Sequence, residues 1–340
     1  MDHLSTAGPT DTPLNPVERT PGTAARRFGA LAFVTAGFTY ALVVFGGVVR
    51  ITGSGMGCGD DWPLCHGQLI PPMDFETLIE YGHRLVAALL SFLVLVVAVY
   101  AWRHRRSAGI AGRGVLGWAL AALALLIVQV LVGAVTVWLE LAASTVILHL
   151  ALASALLATL IIAGLRARKD RTARGSVGGP VHRWVWGAAT LGFTTLILGA
   201  MVANTGAAPL CQGFPLCNGQ FVPAGGGLVH LHWMHRLAGY ALLIVAAVAA
   251  VRTIRVARDA TASRAALLAL GLVIAQIVIA AAMVLLHLPT ALQVLHLAVG
   301  AGLWAALVVW ATAVRSELAP TVTTTERDYA GHHSGVRSRA

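Results

Sequence analysis

Eight apolar runs, each about as long as a bilayer is thick, constrain this chain more than any other feature. They fall at about 28–49, 78–102, 113–136, 143–165, 184–204, 229–251, 265–286 and 291–314. A helix of about 20 apolar residues crosses the roughly 30 Å of hydrocarbon. Inside lipid a backbone must satisfy its own hydrogen bonds, so runs of this length read as helices. The expected fold is therefore an all-α membrane protein of eight transmembrane helices. Charged residues make up only 11% of the chain, against about a quarter in soluble domains. The formal charge of +10 does not point to nucleic acid, because the basic residues lie in short loops and in the two tails.

The distribution of those charges orients the helices. Arg103, Arg105, Arg106 and Arg113 separate the second and third runs. Arg166, Arg168, Lys169, Arg171, Arg174 and Arg183 separate the fourth and fifth, and Arg252, Arg255, Arg258 and Arg264 the sixth and seventh. The alternate loops hold Asp60, Asp61, Asp74 and Glu76, or almost no charge. The positive-inside rule then places both termini in the cytoplasm of a multi-pass plasma-membrane protein. The stretch before Arg26 has no apolar core and does not read as a cleavable signal. The polar tail after Ala319 reads as disordered.

The chain is also written twice. Cys58-Gly-Asp-Asp-Trp-Pro-Leu-Cys65 precedes Glu80-Tyr-Gly-His83-Arg84, and Cys211-Gln-Gly-Phe-Pro-Leu-Cys217 precedes His232-Trp-Met-His235-Arg236. Gln129 and Gln276 each stand 20 residues before a histidine, His149 and His296 (149 − 129 and 296 − 276). Four runs per copy return the chain to its starting side, so the copies are expected to be parallel repeats. They read as two tandem pseudo-symmetric four-helix bundles. The expected divisions are a tail at 1–27, a first half at 28–165, a linker at 166–183, a second half at 184–314 and a tail at 315–340.

Cys58 with Cys65, and Cys211 with Cys217, lie in outside loops where disulfides persist. Short Pro-containing loops can close such bonds. Their role reads as a loop staple or, for Cys58 and Cys65, as redox exchange. No second ligand pair supports a zinc site, and no Cys-x-x-Cys-His run supports covalent haem attachment.

His83, His149, His235 and His296 each lie near the outer end of an apolar run, where an ionisable group is costly and usually functional. One such histidine reads equally as a helix–helix hydrogen bond. Four in matching places read as ligands, because alternate helices of an up-down bundle bring two imidazoles per half to one depth. Two axial histidines are what a six-coordinate iron porphyrin takes from a protein. Arg84 and Arg236 are candidate contacts to porphyrin propionates or interfacial snorkelling arginines. Glu80 shares a helix face with His83, and His232 stands at its place in the second copy. Glu80 reads either as a proton-handling group beside iron or as a partner of Arg84. His3, His104, His182, His332 and His333 read as solvated. His66 corresponds to Asn218 in the second copy, so the repeat does not demand it, and His230, His232 and His287 have no assigned role.

These residues, from about Arg27 to Arg315, resemble the haem A synthase family, in its subclass with cysteines in both halves. The resemblance implies a membrane oxidoreductase that oxidises the C8 methyl of haem O to a formyl group, giving haem A for terminal oxidases. It implies haem b on His235 and His296, haem O near His83 and His149, Glu80 as the catalytic carboxylate, and activity associated with Cys58 and Cys65. An electron donor, unidentified, and haem O synthase are the implied partners. A bis-histidine b-type electron carrier linked to quinone is the competing class. A transporter fits less well, because its polar sites lie at the midplane. The Asp60-Asp61 pair lacks the partner motif a prenyltransferase needs.

Overall fold

The computed structural model describes residues 22–72, 74–107, 109–111, 114–168, 179–257 and 260–316. Residues 1–21, 169–178 and 317–340, with Arg113 and Arg258, lie outside it, and so do the features expected of them. Among the described residues there are eight long helices, every one long and apolar enough to cross a membrane. They are α1 (Thr23–Ile51), α2 (Phe75–Arg103), α3 (Val115–Trp138), α4 (Ala143–Arg168), α5 (Gly179–Asn204), α6 (Gly227–Val256), α7 (Ala260–Leu285) and α8 (Thr290–Ser316). No strand accompanies them among these residues. The chain is an all-α, multi-pass membrane protein.

Most of the helices overrun their apolar runs. Hydropathy registers the thickness of hydrocarbon, whereas the hydrogen-bond ladder of a helix continues into the headgroup layer. Thus α1 starts before 28, and α4 and α5 both extend into the stretch 166–183. At the start of α2 the Asp74 side chain accepts the Thr77 amide at 3.1 Å, an N-cap that satisfies one of the first-turn donors.

In the first half α1 packs on α2 and α4, and α3 packs on α2 and α4, closing a ring of four. In the second half α5 packs on α6 and α8, and α7 packs on α6 and α8. The halves meet through α1 with α8, α4 with α8, and α4 with α5. Three side chains bind this seam to backbone: Tyr40 donates to the Ala298 carbonyl at 3.1 Å, the Trp304 indole to Ser154 at 2.8 Å and Arg50 to Ala203 at 2.9 Å. Gly47 makes the approach of α1 and α8 possible, since a Cβ there would lie 1.9 Å from Leu297 Cδ2.

Each bundle is tightly cored at one end only. The first core joins Phe28, Leu90, Val94, Val97, Leu126, Leu156 and Leu160 with a set of alanines. The second joins Val185, Leu242, Val273, Leu303, Leu307 and Trp310, again with alanines. Small residues let membrane helices approach closely, which favours packing where apolar burial supplies no driving force. Both cores lie toward the ends away from the disulfides. Large apolar side chains such as Phe92, Ile127, Leu131, Ile244 and Val278 are exposed, as a lipid-facing surface requires. Leu156 is 1% exposed, so Leu156→Ala should lower stability by about 2–5 kcal/mol. Phe92→Ala, on the lipid face, should change it far less. Thermal unfolding in detergent measures the difference.

Candidate functional site

The four span histidines stand at matched heights on their helices. His83 lies eight residues into α2 and His235 eight into α6 (83 − 75, 235 − 227). His149 lies six residues into α4 and His296 six into α8 (149 − 143, 296 − 290). Each stands seven residues, two helical turns, above a buried core leucine: Leu90, Leu156, Leu242 and Leu303 (90 − 83, 156 − 149, 242 − 235, 303 − 296). Residues two turns apart share a helix face. The histidines therefore sit over the tops of the two cores, on the faces that turn inward.

The structure brings His235 and His296 together. The His235 and His296 rings have centroids 6.5 Å apart with planes at 82°. His235 donates its Nδ1 proton to the Thr195 carbonyl at 3.1 Å, which leaves Nε2 as the open nitrogen. In the first half Phe45 meets the His83 ring edge-on at 5.8 Å.

Glycines seat three of the four imidazoles. A Cβ at Gly46 would lie 3.2 Å from His83 Nε2, one at Gly133 3.0 Å from His149 Cε1, and one at Gly199 2.9 Å from His235 Cε1. Gly46, Gly133 and Gly199 each lie five residues before the end of their helix (51 − 46, 138 − 133, 204 − 199). Sequence reasoning passed over them. Their matched placement in apolar runs was the signal available, and it carries meaning only once the opposing histidine is known.

Above the first pair sits a closed polar knot. Glu80 is 4% exposed. Its Oε1 is 2.6 Å from Arg84 Nη2 and its Oε2 accepts the Cys58 amide at 2.8 Å. Arg84 Nη1 donates to the carbonyls of Asp61, at 2.7 Å, and of Leu64. Cys58 and Cys65 are joined in a disulfide with Cα atoms 4.5 Å apart. The loop is closed further by Gly57, whose carbonyl accepts from His66 Nε2 at 2.8 Å and from Thr77 Oγ1 at 2.6 Å.

The second half repeats the knot with different chemistry. Cys211 and Cys217 are joined, Cα atoms 4.9 Å apart. Arg236 donates to Gly213 at 2.8 Å, to Leu216 at 2.9 Å and to the Cys211 carbonyl. His232, in place of Glu80, is buried with Nδ1 3.2 Å from the Ala207 carbonyl. Asn218 takes the place of His66; both have positive φ, and Asn218 accepts the Gln212 amide at 2.9 Å. Hence the Nη donors of both arginines bind loop carbonyls and Glu80, a clamping role the sequence did not distinguish from a propionate contact.

The remaining histidines take local roles. His287 and Glu140 occupy the tight turns before α8 and α4, both with positive φ. His230 is bonded to the Gly226 carbonyl at 3.1 Å. His104 stacks on Tyr100 at 4.2 Å. His3, His332 and His333 fall outside the described residues.

Removing one partner of a buried ion pair leaves an uncompensated charge, at a cost of about 3–5 kcal/mol. Arg84→Met should therefore destabilise the protein by about that much, and adding Glu80→Gln should recover most of the loss. Thermal melting of the single and double variants measures it.

Comparison with known proteins gives the family of the chain. The family of cytochrome oxidase assembly proteins (COX15-CtaA) matches residues 29–78 and 73–308. A heme A synthase of Alkalihalophilus pseudofirmus is 33% identical over 226 residues, covering 64% of this chain and 74% of that protein. One from Symbiobacterium thermophilum is 33% identical over 275 residues, covering 78% and 88% respectively. One from Halalkalibacterium halodurans is 35% identical over 214 residues, covering 60% and 68%. With both histidine pairs, both disulfide loops and all eight helices inside or bordering the matched region, the chain belongs to the COX15-CtaA family of cytochrome oxidase assembly proteins.

Proposed function

We propose that this protein is a haem A synthase, which oxidises the C8 methyl of haem O to the formyl group of haem A. The observation that carries the reading is the His235–His296 pair, facing at 6.5 Å and reproduced at the same helical heights by His83 and His149. Two metal–nitrogen bonds of about 2 Å, with roughly 1 Å of ring depth on each side, put facing imidazole centroids about 6 Å apart. The side chains present fit a porphyrin iron: His235 holds Nδ1 on a backbone carbonyl, the usual outer partner of a metal-bound histidine. Buried Nδ1 of His149 has no partner. We assign haem b to His235 and His296, and haem O to His83 and His149.

Turning a methyl into a formyl group is a four-electron oxidation: R–CH3 + H2O gives R–CHO + 4 H+ + 4 e− at the methyl carbon, and with O2 as the oxidant (2 O2 + 8 H+ + 8 e− giving 4 H2O) an electron donor supplies the other four electrons. Haem b, when bound, supplies one-electron transfer. The chain must position the methyl, exclude bulk water and receive protons. Glu80 is the residue suited to the last task, because it shares a helix face with His83. Its tie to the Cys58 amide couples the carboxylate to the first disulfide loop, which gives Cys58 and Cys65 a positioning role. The Nε–H groups of Arg84 and Arg236 remain the candidate propionate contacts. Asp60 and Asp61 mark the outer side, with both tails cytoplasmic, the electron donor unidentified and haem O synthase the natural supplier of substrate. The two halves are read as repeats about an axis along the membrane normal. Exchanging α1–α4 with α5–α8 carries the set of packed helix pairs onto itself, which supports that reading.

Co-expression with a source of haem O, followed by pigment chromatography, tests the activity. Haem A should appear with the native chain and be absent without it. Glu80→Gln should reduce haem A formation by roughly 10²–10⁴-fold, the span of a lost acid–base group, with the haem b spectrum unchanged. Native levels of haem A from this variant would refute the role of Glu80. A protein that binds haem in both halves yet never yields haem A would be an electron carrier instead.

A further inference from the structure

Two short apolar tips lie outside the helices, one in each disulfide loop. Leu69 and Ile70 are 77% and 75% exposed, and Phe221 and Val222 are 77% and 60% exposed. Each tip follows a Cys-x-Gly-Gln run and precedes a buried proline, Pro71 or Pro223. Apolar side chains presented side by side at a surface mark an interaction site, the more so when the feature is repeated. We infer that the two tips are membrane anchors, each seated in the phospholipid leaflet on the disulfide side, at the boundary of headgroups and acyl chains.

The tips are built to stay exposed. Cys65 and Gln68 exchange backbone hydrogen bonds at 3.2 and 2.9 Å, and Gln220 donates to the Cys217 carbonyl at 3.0 Å. An antiparallel bridge forms at both places. It fixes the chain before each tip, and the buried proline fixes it after. A slack loop could fold its apolar residues inward, whereas a tip pinned at both ends presents them outward.

The groups that hold the tips identify what they face. The Tyr81 hydroxyl donates to the Leu69 carbonyl, and the Trp233 indole N–H donates to the Phe221 carbonyl at 2.9 Å. Each aromatic follows its tip by 12 residues (81 − 69, 233 − 221). Each also stands in line with an exposed apolar stripe on its helix. Leu85, Phe92 and Val99 lie 4, 11 and 18 residues beyond Tyr81, and Leu237, Ile244 and Val251 lie the same distances beyond Trp233. Eighteen residues make about five turns, so each stripe runs along one lipid-facing side. Tyrosine and tryptophan gather at the membrane–water interface, the ring toward lipid and the polar edge toward water. A tip bonded to such a residue extends the lipid-facing surface past the end of the span. Charge agrees with this placement. Residues 65–72 and 211–226 contain no Asp, Glu, Lys or Arg, so seating the tips strips water from no formal charge. The leaflet then holds from outside the same loops that Arg84 and Arg236 hold from the protein side.

The test places a nitroxide label on Leu69→Cys and Phe221→Cys in the full-length protein, in phosphatidylcholine nanodiscs. The native cysteines are all paired and take no label. Oxygen concentrates in hydrocarbon and a water-soluble nickel chelate is kept out, so collisions with each, read by electron paramagnetic resonance, report depth. Phe92→Cys serves as the lipid reference and Arg106→Cys as the water reference. Both tip labels should lose nickel collisions relative to Arg106→Cys and keep oxygen collisions, with ratios between the two references. Ile70→Cys and Val222→Cys should repeat the result from the second residue of each tip. Nickel access equal to that of Arg106→Cys would put the tips in water. Shielding from both reagents would mean that protein covers them. Either result overturns the inference.

Discussion

The rest of the arrangement depends on where the close packing of each bundle stops. Alanine and leucine fill the core at one end, up to Leu90, Leu156, Leu242 and Leu303, and two turns further on each of those helices carries a histidine. A packed core at the level of the histidines would leave no room for a porphyrin. A bundle without the leucine floor would not hold the imidazoles at one depth. Small residues make the division possible: the same glycine and alanine content that draws the helices together below leaves Gly46, Gly133 and Gly199 opposite the rings above.

The loops complete this geometry. Arg84 and Arg236 hold the disulfide loops down on α2 and α6 through backbone carbonyls, so the loops cap the site from the same helices that carry His83 and His235. Within that common frame one substitution separates the halves. Glu80 binds the Cys58 amide, whereas His232 binds the Ala207 carbonyl. A carboxylate can exchange protons beside a reacting substrate. The proposed assignment of haem b to the second half asks no proton exchange of His232.

Much of this was legible in the sequence because it is periodic or repeated. The eight runs gave eight helices, and the positions of His83, His149, His235 and His296 followed from comparing the copies. The cysteine pairs followed from short spacing in loops. What stayed hidden needed distances between segments far apart in the chain. Thr195 acts through its carbonyl, which no side-chain pattern reports. The arginines could equally have faced a propionate, and only the loop path shows which carbonyls surround them. Gln129 and Gln276 were visible as a repeated spacing, but the burial of their side-chain oxygens appears only in the structure. Helix ends shifted for a related reason, since lipid thickness and helix length are separate quantities.

The central claim is that facing imidazoles from alternate helices clasp a haem iron in the second half. Near-infrared magnetic circular dichroism of the ferric, haem-loaded protein tests it most directly, because the low-spin band position reports the axial pair. In a His83→Ala background, which removes the first-half pair, bis-imidazole ligation is expected and is lost on adding His235→Ala. Ligation by one imidazole and a different axial group, or bis-imidazole ligation that survives that substitution, would contradict it.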